Sequence, residues 1–204
     1  MDIKKLNHDS VMISGSVVIY FDPFKLDSDV PADIIFITHE HFDHCSPDDI
    51  KKLRKATTVI VAPEECRPKL EGDIRFVKPG DKIEVKGINI EAVPAYNLNK
   101  FRSPGVPFHP KSDNKVGYVV TVDGKRLYHA GDTDNIPEMS KLGDIDIAFL
   151  PVSGTYVMTP EEAAEACSII RPKLAVPMHY GDIVGSSSDA ERFKSLATCK
   201  VEIL

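Results

Sequence analysis

Thr38-His39-Glu40-His41-Phe42-Asp43-His44 puts three imidazoles and two carboxylates within a few residues of one another. Imidazole nitrogen and carboxylate oxygen together suit a divalent cation, zinc first, with manganese or iron also accommodated. In extended backbone, residues two apart point the same way. His39 and His41 can therefore share one ion, while Asp43 and His44, past a bend, face a second. The bland alternative is a solvated polar loop that happens to hold histidines. Two other places weigh against it. Leu127-Tyr128-His129-Ala130-Gly131-Asp132 is an apolar run ending in a carboxylate, and Leu174-Ala175-Val176-Pro177-Met178-His179 is one ending in an imidazole. A lone Asp after a strand is an ordinary turn residue, but three strands delivering ligand-type residues to one core edge are not.

The elements that must position these groups are readable from pattern. Val11–Ile13 and Val17–Phe21 flank Ser14-Gly15-Ser16 as a hairpin; Ile83/Val85 face Ile88/Ile90 across Lys86-Gly87. Val116–Val122 and Lys125–Tyr128 flank Asp123-Gly124, a step suited to positive φ. The unbroken apolar runs Ile34–Ile37, Val59–Ala62, Ile147–Leu150 and Leu174–Val176 read as strands buried on both faces. Ser46-Pro47-Asp48-Asp49 starts a helix with a cap, a proline and acids in the first turn. Thr159-Pro160-Glu161-Glu162 starts another with capping-box spacing, ending near Arg171 because Pro172 follows. A last helix is expected from Ser188-Asp189, ahead of a strand at Val201–Leu204. From Asn97 to Asn114 no period is visible and Pro104, Pro107 and Pro110 interrupt; such a long segment reads as a functional loop.

The 204 residues suit a single domain over 1–204, and 42% apolar content fills an ordinary core. A formal charge of −6 makes nucleic acid an improbable partner. No apolar run spans a bilayer, and Met1–His8 has no secretory character. The four cysteines, Cys45, Cys66, Cys167 and Cys199, form no CxxC pair, so reduced thiols in the cytoplasm are expected. A homo-oligomer is compatible with this composition.

In these motifs the chain resembles the metallo-β-lactamase superfamily: H-x-H-x-D-H, then Gly131-Asp132-Thr133, then a His after a strand. Tyr128–Thr133 and Pro177-Met178-His179-Tyr180-Gly181 are similar to its small prokaryotic branch, which includes ascorbate-phosphate lactonase-like proteins. The opening hairpin ending in Asp22-Pro23 fits as well. The resemblance implies an α/β (α+β) fold, a four-layer αββα sandwich of two mixed sheets with metals at one edge. It assigns His39 and His41 to the first metal, Asp43, His44 and His179 to the second, and Asp132 to both. It also implies a further first-metal histidine where this chain has Pro94-Ala95-Tyr96-Asn97. His109, in Phe108-His109-Pro110, is the only histidine in the loop that follows. Either His109 completes that site, or the site is weaker and open and His109 is a surface-loop histidine or one free to handle substrate.

On this reading the protein is a metal-dependent hydrolase, with two divalent ions lowering the pKa of a shared water to give the attacking hydroxide. Asp43 is the candidate that orients it, with His109 as a second catalytic candidate. The substrate is expected to be a small ester, lactone or phosphodiester, anionic ones included. Asn97, Arg102, Tyr156 and Tyr180 are candidates to hold it; Lys100, Lys111 and Lys115 share the loop with Arg102, and charges there are more often merely solvated. His129 reads as a hydrogen-bonded core histidine, His8 by default as a near-terminal surface one with the active-site edge as its alternative, and Cys45 as a small buried hydrophobe. The competing readings are a metal-binding protein without catalysis, and a nuclease or phosphodiesterase of the same superfamily. The di-iron redox branch typically has Glu where His41 stands, which disfavours it.

Overall fold

The computed structural model describes residues 1–27 and 30–204. The first sheet runs in the order of its strands: β1 (Asp2–Lys5), β2 (Val11–Ser14), β3 (Val18–Phe21), β4 (Ile34–Phe36), β5 (Val59–Pro63) and β6 (Asp73–Val77). The opening hairpin pairs antiparallel with Ile13 opposite Ile19. The strands from β3 to β6 are parallel. Strand alternation then splits one sequence into two cores. Val11, Ile13, Ile19, Phe21, Ile34, Phe36, Val59 and Val61 face the second sheet. Met12, Tyr20, Ile35, Ile37, Ile60 and Ala62 face outward onto Ile50 and Leu53 of α1 (Pro47–Leu53). The unbroken apolar runs are thus explained: both faces are covered.

The second sheet contains β7 (Lys82–Val85) and β8 (Ile88–Pro94). After the small separate hairpin of β9 (Phe101–Ser103) and β10 (Val106–Pro107), it continues with β11 (Val116–Val122), β12 (Lys125–His129), β13 (Ile147–Pro151), β14 (Leu174–Met178) and β15 (Lys200–Val201). Its order is β15-β14-β13-β12-β11-β8-β7, antiparallel at the β7–β8–β11–β12 side and parallel beyond. Its outer face carries α2 (Pro160–Ile170) and α3 (Ser187–Leu196), whose Ala163, Ala166 and Phe193 join the main core. The layers are therefore helix, sheet, sheet and helix, the sandwich that the sequence resemblance implied. Among the described residues no helix is long and apolar enough to cross a membrane.

Caps set the helix bounds as expected. Ser46 accepts from the Asp49 amide, and Thr159 and Glu162 complete a reciprocal capping box. The α2 helix stops at Arg171, which adopts a left-handed conformation just before Pro172. Two expectations are corrected. The segment from Asn97 to Asn114 is not structureless, because it holds the β9–β10 hairpin and a 3-10 turn at Lys111–Asp113. The closing strand is only Lys200–Val201.

One backbone contact matters for the site. A Cβ on Gly117 of β11 would stand 2.7 Å from the Ala130 carbonyl oxygen and 2.8 Å from that of His129. Backbone of the neighbouring strand cannot rotate away, so Gly117 lets β11 close against the segment leading to Asp132. Gly117→Ala should destabilise the protein by about 1–3 kcal/mol, seen as a lower urea midpoint. An unchanged midpoint would show that the strands part without cost.

Candidate metal centre

The loops that follow β4, β12 and β14, together with the β1–β2 turn, meet at one edge of the sandwich. Two donor groups converge there. His39, His41, His109 and Asp132 form one, and His8, Asp43, His44 and His179 the other; Asp9 groups with His44, Asp132 and His179. Within each group the ligand-type atoms lie within 4.8 Å of one another. Asp132 stands between the two. Its Oδ2 is 3.4 Å from His109 Nε2 and 3.9 Å from His39 Nε2, while its Oδ1 is 3.4 Å from Nε2 of both His44 and His179.

The histidines are oriented from behind. Thr38 Oγ1 donates to Asp22 Oδ2 at 2.6 Å and so accepts from His39 Nδ1 at 3.0 Å. His44 Nδ1 donates to the same Asp22 oxygen at 2.9 Å. His179 Nδ1 donates to Ser153 Oγ at 2.9 Å, whose own proton goes to the Thr155 carbonyl. His109 Nδ1 donates to Asn97 Oδ1 at 3.0 Å. Each outer nitrogen holds the proton, which leaves the Nε2 lone pair facing the cluster. Nε2 of His39, His44 and His109 and Oδ1 of Asp132 are buried with no hydrogen-bond partner. Such a concentration of orphaned donors is costly unless a cation satisfies them, so these residues fit divalent metal.

Electrostatics favour the neutral ring at His39 and His109 and the protonated ring at His44 and His179, whose extra proton a cation would displace. Burial, reinforced by His44, holds the His39 imidazole well below its ordinary range, and burial pushes His109 down to about 4. Both therefore present the neutral ring that a metal requires. Burial alone would also lower His44, but Asp132, Asp22 and Asp9 outweigh it and raise it. Burial alone would raise the Asp132 carboxyl; His179 and His44 pull it well below the carboxylate range.

The expected ligands His39, His41, Asp43, His44, Asp132 and His179 are all brought to this edge. His109 lies with the first group, where this chain lacks the further histidine of the superfamily pattern. Asn97, expected to touch substrate, is spent elsewhere. It is 5% exposed; its Oδ1 also accepts from the His109 amide, and its Nδ2 donates to Asp134 Oδ1 and the Tyr156 carbonyl. Its contacts make it a positioning residue for His109. Arg102 stands exposed on β9, away from the cavity wall, and Tyr180 is buried beneath the Lys5 ammonium. Tyr156 does line the cavity. His129 donates from Nε2 to the Asp9 carbonyl at 2.9 Å and stacks on Phe21, a core role.

Sequence reasoning misplaced His8 and overlooked Asp9. His8 is fully buried, with Nε2 3.4 Å from Asp43 Oδ2 and its ring 4.1 Å from that of His179. Asp9 is equally buried, and both its carboxylate oxygens lack hydrogen-bond partners, with His44 Nδ1 3.8 Å from Oδ2. The available signal was His8-Asp9-Ser10, three consecutive polar residues directly before a buried strand. His8, Asp22 and His179 all adopt positive φ, a strain of about 1 kcal/mol each that clusters at the site.

In front of the donors lies a cavity of about 310 Å³. Its floor is His41, Asp43, His109 and Asp132, and its walls are Phe42, Phe108, Tyr156 and Ile183.

The profile of a family described as "Beta-lactamase superfamily domain" matches residues 2–179. A metal-dependent hydrolase of Thermococcus onnurineus is 34% identical over 99% of this chain and 94% of its own length. A crystal structure from Parabacteroides distasonis is 40% identical with a TM-score of 0.83, covering 98% of this chain and 91% of the other. The fold also matches Igni18, a metallo hydrolase of Ignicoccus hospitalis, at a TM-score of 0.78 and 22% identity over 99% and 94% of the two chains. A profile match across the ligand-bearing strands, together with these hydrolase relatives, places the chain in the metallo-β-lactamase superfamily as a metal-dependent hydrolase.

Proposed function

We propose that the protein hydrolyses a small ester, lactone or phosphodiester at a two-metal centre, with zinc the best suited ion. The observation that carries this reading is Asp132, one carboxylate oxygen turned to each of two histidine groups. A site for one ion has no use for that division. Zinc suits it because imidazole nitrogens predominate in both groups. When bound, such ions supply activation of water near neutral pH and Lewis-acid polarisation of the scissile group.

The chain's own residues do the rest. Asp43 lines the cavity with its side chain 13% exposed, and its carboxylate is placed to accept a hydrogen bond from the attacking water. His8 Nε2 fixes that carboxylate from the side. Asp22, Thr38, Asn97 and Ser153 hold the imidazoles, and the apolar walls exclude bulk water. Four free cysteines suit a reducing compartment, and the cytoplasm is the proposed location.

The test is metal removal. A panel of nitrophenyl esters, lactones and bis(nitrophenyl) phosphate should be turned over by the purified protein. Chelation should abolish turnover, and about two equivalents of zinc should restore it. Turnover indifferent to chelation, or full activity with a single equivalent, would refute the two-metal reading.

A further inference from the structure

The walls of the cavity carry information about the substrate that the donor groups do not. Among the described residues that line it there is no Lys or Arg. Four lysines on neighbouring segments are committed elsewhere, and Arg102, exposed on β9, is not among the residues that line the cavity. Lys25 pairs with Asp182 at 2.9 Å, Lys100 with Glu162 at 2.7 Å and Lys111 with Glu138 at 2.6 Å. Lys115 is buried between Glu40 and Glu65. The loop segment that could have supplied a clamp for a phosphate or carboxylate instead supplies Phe108 to the wall.

That wall is apolar and aromatic. Phe108 and Tyr156 meet edge to face with ring centroids 4.7 Å apart, and Ile183 lines the same cavity. Phe42 is 64% exposed although it is a large apolar side chain, held edge-on against Phe24. An exposed aromatic at the rim of a cavity is informative where a scattered one would not be. Tyr156 is kept at the rim in a left-handed backbone conformation, with its carbonyl tied to Asn97. An aromatic residue rarely adopts that geometry without a constraint.

We propose, resting on the hydrolase reading above, that the substrate is an uncharged carboxylic ester or lactone bearing a flat apolar group. That group seats against Phe42, Phe108, Tyr156 and Ile183, with the carbonyl directed to the floor. In the reaction the oxygen of water forms a new bond to the acyl carbon and the acyl C–O bond breaks. One water proton passes to the departing alkoxide and the other to solvent, giving an alcohol and a carboxylate, both on one molecule when the substrate is a lactone. Walls without cations hold the neutral substrate and do not retain the anionic product. A charged group on the substrate's flank would be desolvated there without a partner.

The test separates binding from turnover. Two lactams of matched size, which resist hydrolysis, serve as probes: one phenyl-substituted, the other 4-sulfophenyl-substituted. Their binding to the zinc-loaded full chain is measured by calorimetry, with metal content checked for every variant. The phenyl lactam should bind at least about tenfold more tightly. Phe108→Ala should shrink that preference to about twofold. Ile183→Lys, which adds a cation to the wall, should shift it towards the sulfonate. Equal or tighter sulfonate binding by the wild type, or a preference untouched by both variants, would overturn the proposal. Turnover of the phenyl lactone without a lactam preference would overturn it while leaving the hydrolase reading intact. A lactam preference without turnover of any ester would uphold the pocket and count against that reading.

Discussion

Asp132→Asn should leave a folded protein that has lost roughly a thousandfold or more of its hydrolytic rate and binds at most about one metal ion tightly. The substitution keeps volume and shape, so packing around β12 and the Gly131 turn is undisturbed. It removes the single negative charge that His39, His44, His109 and His179 all approach. An amide presents one oxygen and one NH2 where the carboxylate presents two oxygens. Whichever histidine group faces the NH2 then meets a donor in place of a ligand. Metal analysis, a urea midpoint and initial rates on one preparation distinguish this from unfolding. Two tightly bound ions and wild-type turnover in the variant would mean that Asp132 does not join the groups.

How far the sequence reveals this site depends on what each residue is asked to do. Strands buried on both faces announce themselves because every residue needs an apolar partner, as in Ile34–Phe36 and Ile147–Pro151. Hairpin turns announce themselves through Asp123-Gly124 and Lys86-Gly87, where positive φ is needed at both positions. Ligands at the ends of such strands are then found by adjacency. Elements at the margin leave no such trace. β1 alternates between exposed and half-buried positions with polar side chains, and β6 places Asp73 and Arg75 at an exposed edge. β1 has only Ile3 to mark it, and β6 alternates, with Ile74 and Phe76 between and after Asp73 and Arg75, over too short a stretch to stand out. Failing to see β1 had a cost: without its hairpin turn, His8 reads as a tail residue and not as part of a loop folded onto the metal edge. The β9–β10 hairpin is hidden for the same reason, being largely exposed. Asn97 is a different failure. At its position the superfamily pattern implies a ligand, and an amide there suggests a contact with substrate. Only the three-dimensional arrangement reveals that it holds His109 across 12 positions of sequence.

That arrangement leads to the second large effect. His109→Ala should lower tightly bound metal from about two equivalents to about one, with rates falling to the level of the single-metal protein. His109 reaches the first group because the chain doubles back. The Asn97 amide donates to the His109 carbonyl at 2.8 Å, the His109 amide to Asn97 Oδ1 at 2.9 Å, and the ring Nδ1 to that same oxygen. Asn97 therefore fixes the backbone and the ring orientation of a residue that a free loop would present only part of the time. Asn97→Leu, similar in volume but without polar atoms, should weaken zinc binding at this site by about 10–100-fold while leaving it fillable at high zinc. Asn97→Asp keeps an acceptor for Nδ1 but turns a second carboxylate towards Asp134 Oδ1 and the Tyr156 carbonyl, so it should recover only part of the affinity that Asn97→Leu loses. Competition titrations against a zinc-chelating dye resolve the three variants. His109→Ala retaining two tight equivalents, or Asn97→Leu matching the wild type, would show that the first group closes without this loop. If Asp rescues where Leu fails, the decisive feature is the hydrogen bond behind the imidazole rather than the loop's path. The departure from the superfamily pattern would then be a displaced ligand with its own support, not a lost site.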